Sequence, residues 1–496
     1  MPTRSNSVEL FVKKISDYMS ADYIYVDASS SILETIKDLQ QQKKSTILIK
    51  KDNKLAGIIT EQDIVRKVTF ISDSSKKVSD FMTSPVIFVY EDDLLFHAVG
   101  KMRKNNLRHL PVINMNYEVV GIIHAHKALA AELGAVTQEI DKMTFDEYDE
   151  RGLVQIKKQQ VHLAERLLNE KISSNDISYL LSFLNNVIYR RSIRIAEKKI
   201  GQKNIIKKIP NYSVLVMGSG GRMESFLQPD QDNGIIYESS KTEDPKKVDL
   251  YFEELAKEFT KSLDTAGISF CKGNLMATNP MWRKSLPEWK EQVQEWITNF
   301  NEQNLIYVDM LYDFRSVYGK PELADELRDF IFDKLVNNKI LKFLFKNEEG
   351  RRAGLTFFGG FKLEKNDKEN KGLLNLKGAG TLPLVESVRI YSIKHRVNKN
   401  TTAARIEELT KKNVFTNDEA DFFQNAHRFL TYILLKDQVA SVKEGKPIKS
   451  FIDPKKLLER EKDLLKMYLK KINELKIRAR GDISEEYFYQ YQSLFS

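Results

Sequence analysis

One stretch of this chain is written twice. Residues 57–63 read GIITEQD and residues 121–127 read GIIHAHK. The same succession precedes each. An extended run, YIYV at 23–26 or VIFVY at 86–90, comes before a helix-like stretch, ILETIKDLQQQ or LLFHAVGKMRKN. A second extended run, TILIKK or HLPVIN, and a short polar turn lead into the Gly-Ile-Ile strand. The copies are offset by 63 residues at the helices and by 64 after the turn. A β-α-β-β unit of this size cannot cover its own faces, so the copies are expected to pack together.

Composition bounds the rest. The chain has 496 residues, room for about three domains. Hydrophobic residues at 42% and charged residues at 30% exclude a disordered or fibrous protein. With 22 Gly and 12 Pro, turn punctuation is sparse and helices should outnumber strands. The single cysteine, Cys271, excludes a disulfide framework or a Cys-rich zinc module and suits a reducing compartment. The balance of 78 basic and 69 acidic residues, +9, suits phosphate-bearing ligands and argues little for nucleic acid. No apolar signal segment opens the sequence, and no run reaches the ~20 apolar residues of a membrane helix. A cytoplasmic protein without a membrane partner is expected.

The repeat, with MTSPV at 82–86 and NLRHLPV at 106–112, resembles a tandem pair of CBS domains over residues 10–133. The resemblance implies an adenine nucleotide as ligand, its ribose held by the Thr and Asp of the GIITEQD string, Thr60 and Asp63. Arg108 is expected to meet phosphate. The second copy has His124 and Lys127 where the first has Thr60 and Asp63, so two equivalent sites are not expected.

Residues 134–210 are polar and helix-periodic, and read as connecting and packing helices that end at Pro210. The segment 212–238, YSVLVMGSGGRMESFLQPDQDNGIIYE, carries the chemistry. Tyr212 to Met217 reads as a buried strand. Gly218, Ser219, Gly220 and Gly221 form a turn where the backbone approaches something closely, and N–H groups exposed at a helix start make a phosphate cradle. Strand alternation puts Asp230 and Asp232 on one face. Paired carboxylates repel unless a divalent cation lies between them, and oxygen ligands suit Mg²⁺. Cradle, Arg222 and paired Asp describe a site for a Mg-nucleoside triphosphate.

A Gly-Ser followed about ten residues later by Asp-x-Asp resembles the polymerase-β-like nucleotidyltransferases. The fuller string, with FCKGNLMATNPMWR at 270–283 and YDFRSVYG at 312–319, resembles the bacterial CBS-linked nucleotidyltransferases related to PII-protein uridylyltransferases. The middle residue of Asp-x-Asp, usually apolar there, is Gln231. The resemblance implies a two-metal Mg²⁺ site with a third carboxylate that assists the attacking hydroxyl. Asp313 is the choice by family position and Asp309 the alternative. Trp282 reads as core.

From about residue 325 the pattern is mostly helical. NLKGAGTLPLVESVRIYSIK at 375–394 resembles the same family's C-terminal domain, with Asn375 where the family usually has Asp. A last helix is expected from Asp453 to Arg480, capped by Asp453 and stopped by Gly481.

The expected fold class is α/β plus α. A tandem CBS pair (10–133) is followed by connecting helices (134–210), a polymerase-β-like nucleotidyltransferase domain with a mixed sheet (211–325), and a helical C-terminal domain (326–496). The expected function is transfer of a nucleoside monophosphate from an NTP to an acceptor hydroxyl on a regulatory protein, under control of an adenine nucleotide at the CBS pair. Asp230, Asp232 and Asp313 would hold metal and catalyse, and Gly218, Ser219, Gly220 and Arg222 would hold the triphosphate. Two other classes stay open: a non-catalytic nucleotide sensor, and transfer to an RNA end. A homodimer also stays open.

Overall fold

The computed structural model describes residues 15–124 apart from short breaks at 52–53, 61–62, 65–67, 69–72, 74, 92, 94, 96–97, 99–100, 103–104, 106 and 115–117. It continues through 150–169, 172–299, 301–336, 354–356 and 359–493. Two compact units divide after Glu147.

In the first unit each repeat forms a three-stranded sheet. β1 (Ile24–Asp27) runs parallel to β2 (Thr46–Lys51), which turns back as β3 (Lys54–Thr60); α1 (Ile32–Gln41) follows β1. The second copy repeats this order with β4 (Val89–Tyr90), β5 (His109–Ile113) and β6 (Val119–His124). The same irregularity falls at the same place in both hairpins, between Ile49 and Lys50 and between Val112 and Ile113.

The copies exchange their leading segments, a feature the sequence reading missed. Ser20, ahead of β1, bridges to Ile122 in the second sheet, and Thr83, ahead of β4, bridges to Ile58 in the first. The glycine of each Gly-Ile-Ile string is the seat. A β-carbon at Gly57 would lie 2.2 Å from Met82 Sδ, and one at Gly121 would lie 2.7 Å from Met19 Sδ. No other residue type leaves room for the methionine. The signal was in the sequence: KKISDYMS at 13–20 returns as KKVSDFMT at 76–83, again 63 residues on.

The second unit opens on two long helices, α2 (Glu150–Asn169) and α3 (Ser174–Gly201). A mixed sheet has the strand order β11-β9-β7-β12. It comprises β7 (Tyr212–Val216), β9 (Asn233–Tyr237), β11 (Arg283–Ser285) and β12 (Arg315–Gly319). β7 is antiparallel to both β9 and β12, and β11 is parallel to β9. A two-strand ribbon, β8 (Asp230–Gln231) with β10 (Ser269–Phe270), adjoins it. Helix α4 (Pro245–Ala266) starts at Asp244, whose side chain accepts from Lys246 N, and stops at Gly267 with φ of 98°. Then come α5 (Leu286–Thr298), α6 (Glu302–Tyr312) and α7 (Pro321–Val336). Trp282 is sealed in the core against Trp289 and Trp296.

α3 packs as a core helix. Most of its length is buried, and its polar residues are bonded inward. Ser178 Oγ donates to Ser225 O, Ser182 Oγ accepts from Ser225 N, and Ser174 Oγ donates to Arg428 O. The buried hydroxyls are satisfied by neighbouring backbone.

The C-terminal region packs α8 (Leu382–Lys394), α9 (Thr402–Lys411), α10 (Asn417–Lys443) and α11 (Glu459–Ser493) around Leu384, Leu430, Leu469 and Ile472. A short ribbon joins β13 (Leu374–Asn375) to β14 (Phe451–Ile452). The last helix corrects the expected bounds. Asp453 caps only a single 3-10 turn, Pro454–Lys456, and α11 runs through Gly481 without stopping.

Candidate functional site

Both aspartates of the Asp-x-Asp string sit where the ribbon meets the sheet. Alternation holds: Asp230 is exposed and Asp232 half-buried on one face, while Gln231 and Asn233 are buried on the other. Gln231, the family departure, has a structural task. Its Nε2 donates to Thr260 O at 2.9 Å and to Ile268 O at 2.8 Å, tying β8 to the end of α4. Asn233 Oδ1 accepts from Ala277 N at 3.0 Å, which fixes the loop after β10.

The glycine turn closes over this pair. Met217 N donates to Asp232 O at 2.9 Å. Gly218 has φ of 58°, and a β-carbon there would come within 3.3 Å of Asp232 Oδ2. The N–H groups of Ser219 and Gly220 make no hydrogen bond among the described residues. Gly221 rests on Asp313, with only 2.1 Å between its would-be β-carbon and the Asp313 carbonyl oxygen.

Burial, then the nearby Asp230 carboxylate, pushes the Asp232 carboxyl up to about 6; the Cys271 thiol, Lys377 and Arg222 pull the other way. Lys377, from the C-terminal region, contributes to this field, and its own pKa is lowered by burial.

Asp313 and Arg222 do different work from that expected. Asp313 lies at the end of α6, fully buried. Its Oδ2 accepts from Arg222 Nη1 and Arg389 Nη1, both at 2.7 Å, and its Oδ1 from Arg405 Nη2 at 2.6 Å. Burial alone would raise its pKa, but the three guanidiniums hold it far below the usual carboxylate range. Both oxygens are committed, so the third-ligand role is corrected: Asp313 anchors arginines. Asp309 lies within α6, and its side chain is outside the described residues. Arg222 is also committed, with Nε on Glu224 at 2.8 Å and Nη1 on Asp313. Glu224 in turn accepts from Thr402 N and Oγ1. The strand beside β9 offers Arg283, whose Nε reaches Asp249 at 3.2 Å, and no carboxylate. Among the described residues no three His, Cys, Asp or Glu side chains form a metal-binding group.

Thr60 and Asp63 are brought together in the first unit. Asp63 Oδ2 accepts from Thr60 N at 3.1 Å and from Thr60 Oγ1 at 2.8 Å. Arg108 stands exposed just ahead of β5. The second copy is built differently. His124 Nε2 faces Asp22 Oδ2 at 3.3 Å, Ser45 Oγ donates to Asp22 at 2.7 Å, and His109 stacks edge-on against His124. Lys127 lies outside the described residues.

Comparison with known proteins covers most of the chain. The family profile described as "Putative nucleotidyltransferase DUF294" matches residues 158–303, and "Putative nucleotidyltransferase substrate binding domain" matches 338–483. The profile "CBS domain" matches 15–69 and 78–134. The chain belongs to the CBS-linked nucleotidyltransferase family. Arg389 and Arg405 thus come from the stretch matched by the substrate-binding profile and bond Asp313, which lies between the two matched stretches.

Relatives by sequence are more partial. A 17.7 kDa protein of Acidianus ambivalens is 32% identical over 130 residues, 26% of this chain and 79% of its own. The homoserine O-acetyltransferase of Methanosarcina acetivorans is 30% identical over 110 residues; the chain spans only 20% of that enzyme. A solved CBS domain pair in complex with 5-methylthioadenosine and S-adenosyl-L-methionine is 30% identical, covering 23% of this chain and 92% of that one, with a TM-score of 0.21. No helix among the described residues is long and apolar enough to cross a membrane.

Proposed function

We propose that this CBS-linked nucleotidyltransferase binds an NTP with Mg²⁺ at Asp230 and Asp232 and transfers the nucleoside monophosphate to a hydroxyl, acting in the cytoplasm. The observation that carries this is the Asp230/Asp232 face beside the open amides of Ser219 and Gly220. Asp230 and Asp232 are the carboxylates that would hold Mg²⁺, which prefers oxygen ligands. The two-metal arrangement loses its third ligand with Asp313. When bound, Mg²⁺ would neutralise charge on the triphosphate. The acceptor oxygen attacks the α-phosphorus, the α–β anhydride bond breaks, pyrophosphate leaves, and the acceptor proton passes to water on the open Asp230 side. The amides of Ser219 and Gly220 orient the phosphates in line.

The acceptor we infer is a protein side chain, a tyrosine hydroxyl on a small regulatory partner. Support comes from the resemblance of the site string to PII-protein uridylyltransferases and from the attached CBS pair. Incubation with labelled UTP or ATP and cell extract tests it. Label that is lost to protease supports the reading, and label lost to ribonuclease replaces it with RNA-end transfer. The commitment of Asp313 favours a second reading, a nucleotide sensor without turnover. Absence of pyrophosphate release with every NTP plus Mg²⁺ would select it.

The CBS pair is proposed to take one adenine nucleotide, in the cleft of Thr60 and Asp63. In the other copy Asp22 places a carboxylate, and His124 replaces the hydroxyl. Calorimetry of the full chain with AMP is expected to give one CBS site per chain. Asp63→Ala should weaken it by roughly 1.5–3 kcal/mol, the range for a hydrogen bond to a charged group. Two equal sites, or no effect of the substitution, would place the ligand elsewhere.

A further inference from the structure

We propose that Glu224 is a positioning residue: anchored on the C-terminal region through Thr402, it aims the open Gly220 amide at the nucleotide's phosphates. This rests on the reading of the glycine turn and the Asp230/Asp232 face as a Mg-nucleotide site.

The glycine turn closes on a methionine. Met223 has φ of 61°, a left-handed conformation that glycine or asparagine usually fills at a helix end. Met223 N donates to Gly220 O at 3.1 Å, and Glu224 N donates to Ser219 O at 2.8 Å. The second bond sets an amide. Ser219 C=O and Gly220 N–H belong to one planar trans peptide, so they point in opposite directions. Whatever holds that carbonyl also aims that N–H, and Glu224 holds it.

A methionine in this conformation is strained, and it persists only where its surroundings over-determine it. From α3, Asn186 Nδ2 donates to Met223 Sδ at 3.3 Å. From the C-terminal region, Glu224 is held by its carboxylate. Its Oε1 accepts from Thr402 N at 2.6 Å, and its Oε2 from Thr402 Oγ1 at 3.1 Å and from Arg222 Nε at 2.8 Å. Thr402 is the first residue of α9, so its N–H has no partner inside the helix, and a helix start favours an anion. The hydroxyl of Thr401 serves Ala404 N and leaves this amide to Glu224. Glu224 lies in the stretch matched by the nucleotidyltransferase profile and Thr402 in that matched by the substrate-binding profile. Grip on the phosphates is thereby tied to the docking of α9.

The test measures binding of Mg-UTP and of Mg-tripolyphosphate to the full chain, well below its melting temperature. Glu224→Ala breaks the anchor from the turn. Thr402→Pro breaks it from the far side, by removing the N–H at a helix position where proline fits. Each is expected to weaken both ligands about tenfold or more, the scale of one hydrogen bond to a charged group. The double variant should lose no more than the weaker single one, since both cut one connection. Thr402→Ser keeps both donors and should bind like the unaltered chain. A merely structural contact would lower the melting temperature and leave the affinities unchanged; that result, or losses that multiply in the double variant, would overturn the proposal while the site reading stands. If the unaltered chain binds neither ligand, both fall together.

Discussion

Asp232→Asn is expected to unfold later than the unaltered chain at pH 7.5 and to release no pyrophosphate. Both effects have one origin. Burial and the Asp230 carboxylate push the Asp232 carboxyl up from the usual carboxylate range to about 6. A raised carboxyl pKa means the folded state holds a charge it disfavours. The resulting destabilisation is absent below about pH 4, grows as pH rises toward 6, and is constant above it. A rise of that size corresponds to roughly 2–3 kcal/mol, an upper figure because Asp232 keeps some contact with solvent. Asparagine removes that cost and also one charge of the cation site, so stability rises as turnover disappears, a trade seen where function needs strain. Urea unfolding at pH 7.5 and pH 4.5, with a pyrophosphate assay, checks it. A gain at pH 4.5 as large as at pH 7.5 would refute the electrostatic account. Turnover like that of the unaltered chain would remove Asp232 from the chemistry.

The second large effect is at Asp313, and there stability falls. Asp313→Asn takes the common counter-charge from Arg222, Arg389 and Arg405. Arg405 already has a buried Nη1 without a hydrogen bond. Breaking a buried pair by removing one partner costs about 3–5 kcal/mol, because the remaining charge stays buried and uncompensated. The pH dependence has the opposite sign to that of Asp232. The folded pKa is depressed, so the contribution is fully present above the unfolded value near 4 and is lost as pH falls below it. The unaltered chain should therefore lose stability on acidification through pH 4 and downward, and Asp313→Asn should show less of that loss. A catalytic Asp313 predicts the reverse pattern, an unchanged urea midpoint with activity abolished. That result would return it to the chemistry.

The sequence was legible where a pattern is local. The two Gly-Ile-Ile strings marked both β3 and β6, and alternation through 230–233 put both aspartates on one face. What it hid was partnership over distance. Tyr-Asp-Phe-Arg looks the same whether the carboxylate faces a cleft or three arginines, two of which lie 76 and 92 residues further on. The sequence likewise does not say that Ser178 and Ser182 of α3 bond the backbone of Ser225, more than forty residues on. Gln231 broke the family pattern because it bonds two carbonyls of a helix end, which no nearest-neighbour rule foresees.

Because Met82 rides on the first sheet and Met19 on the second, the two CBS repeats are not interchangeable cassettes. A recombination boundary between residues 69 and 78, where the matched repeats part, would run through two packed bodies rather than between them. Trading one repeat for a relative's would import a methionine whose seat stays behind in the other half. The heritable unit is the pair. A lesion at Met19 is expected to loosen the sheet that holds Gly121 and leave its own repeat intact.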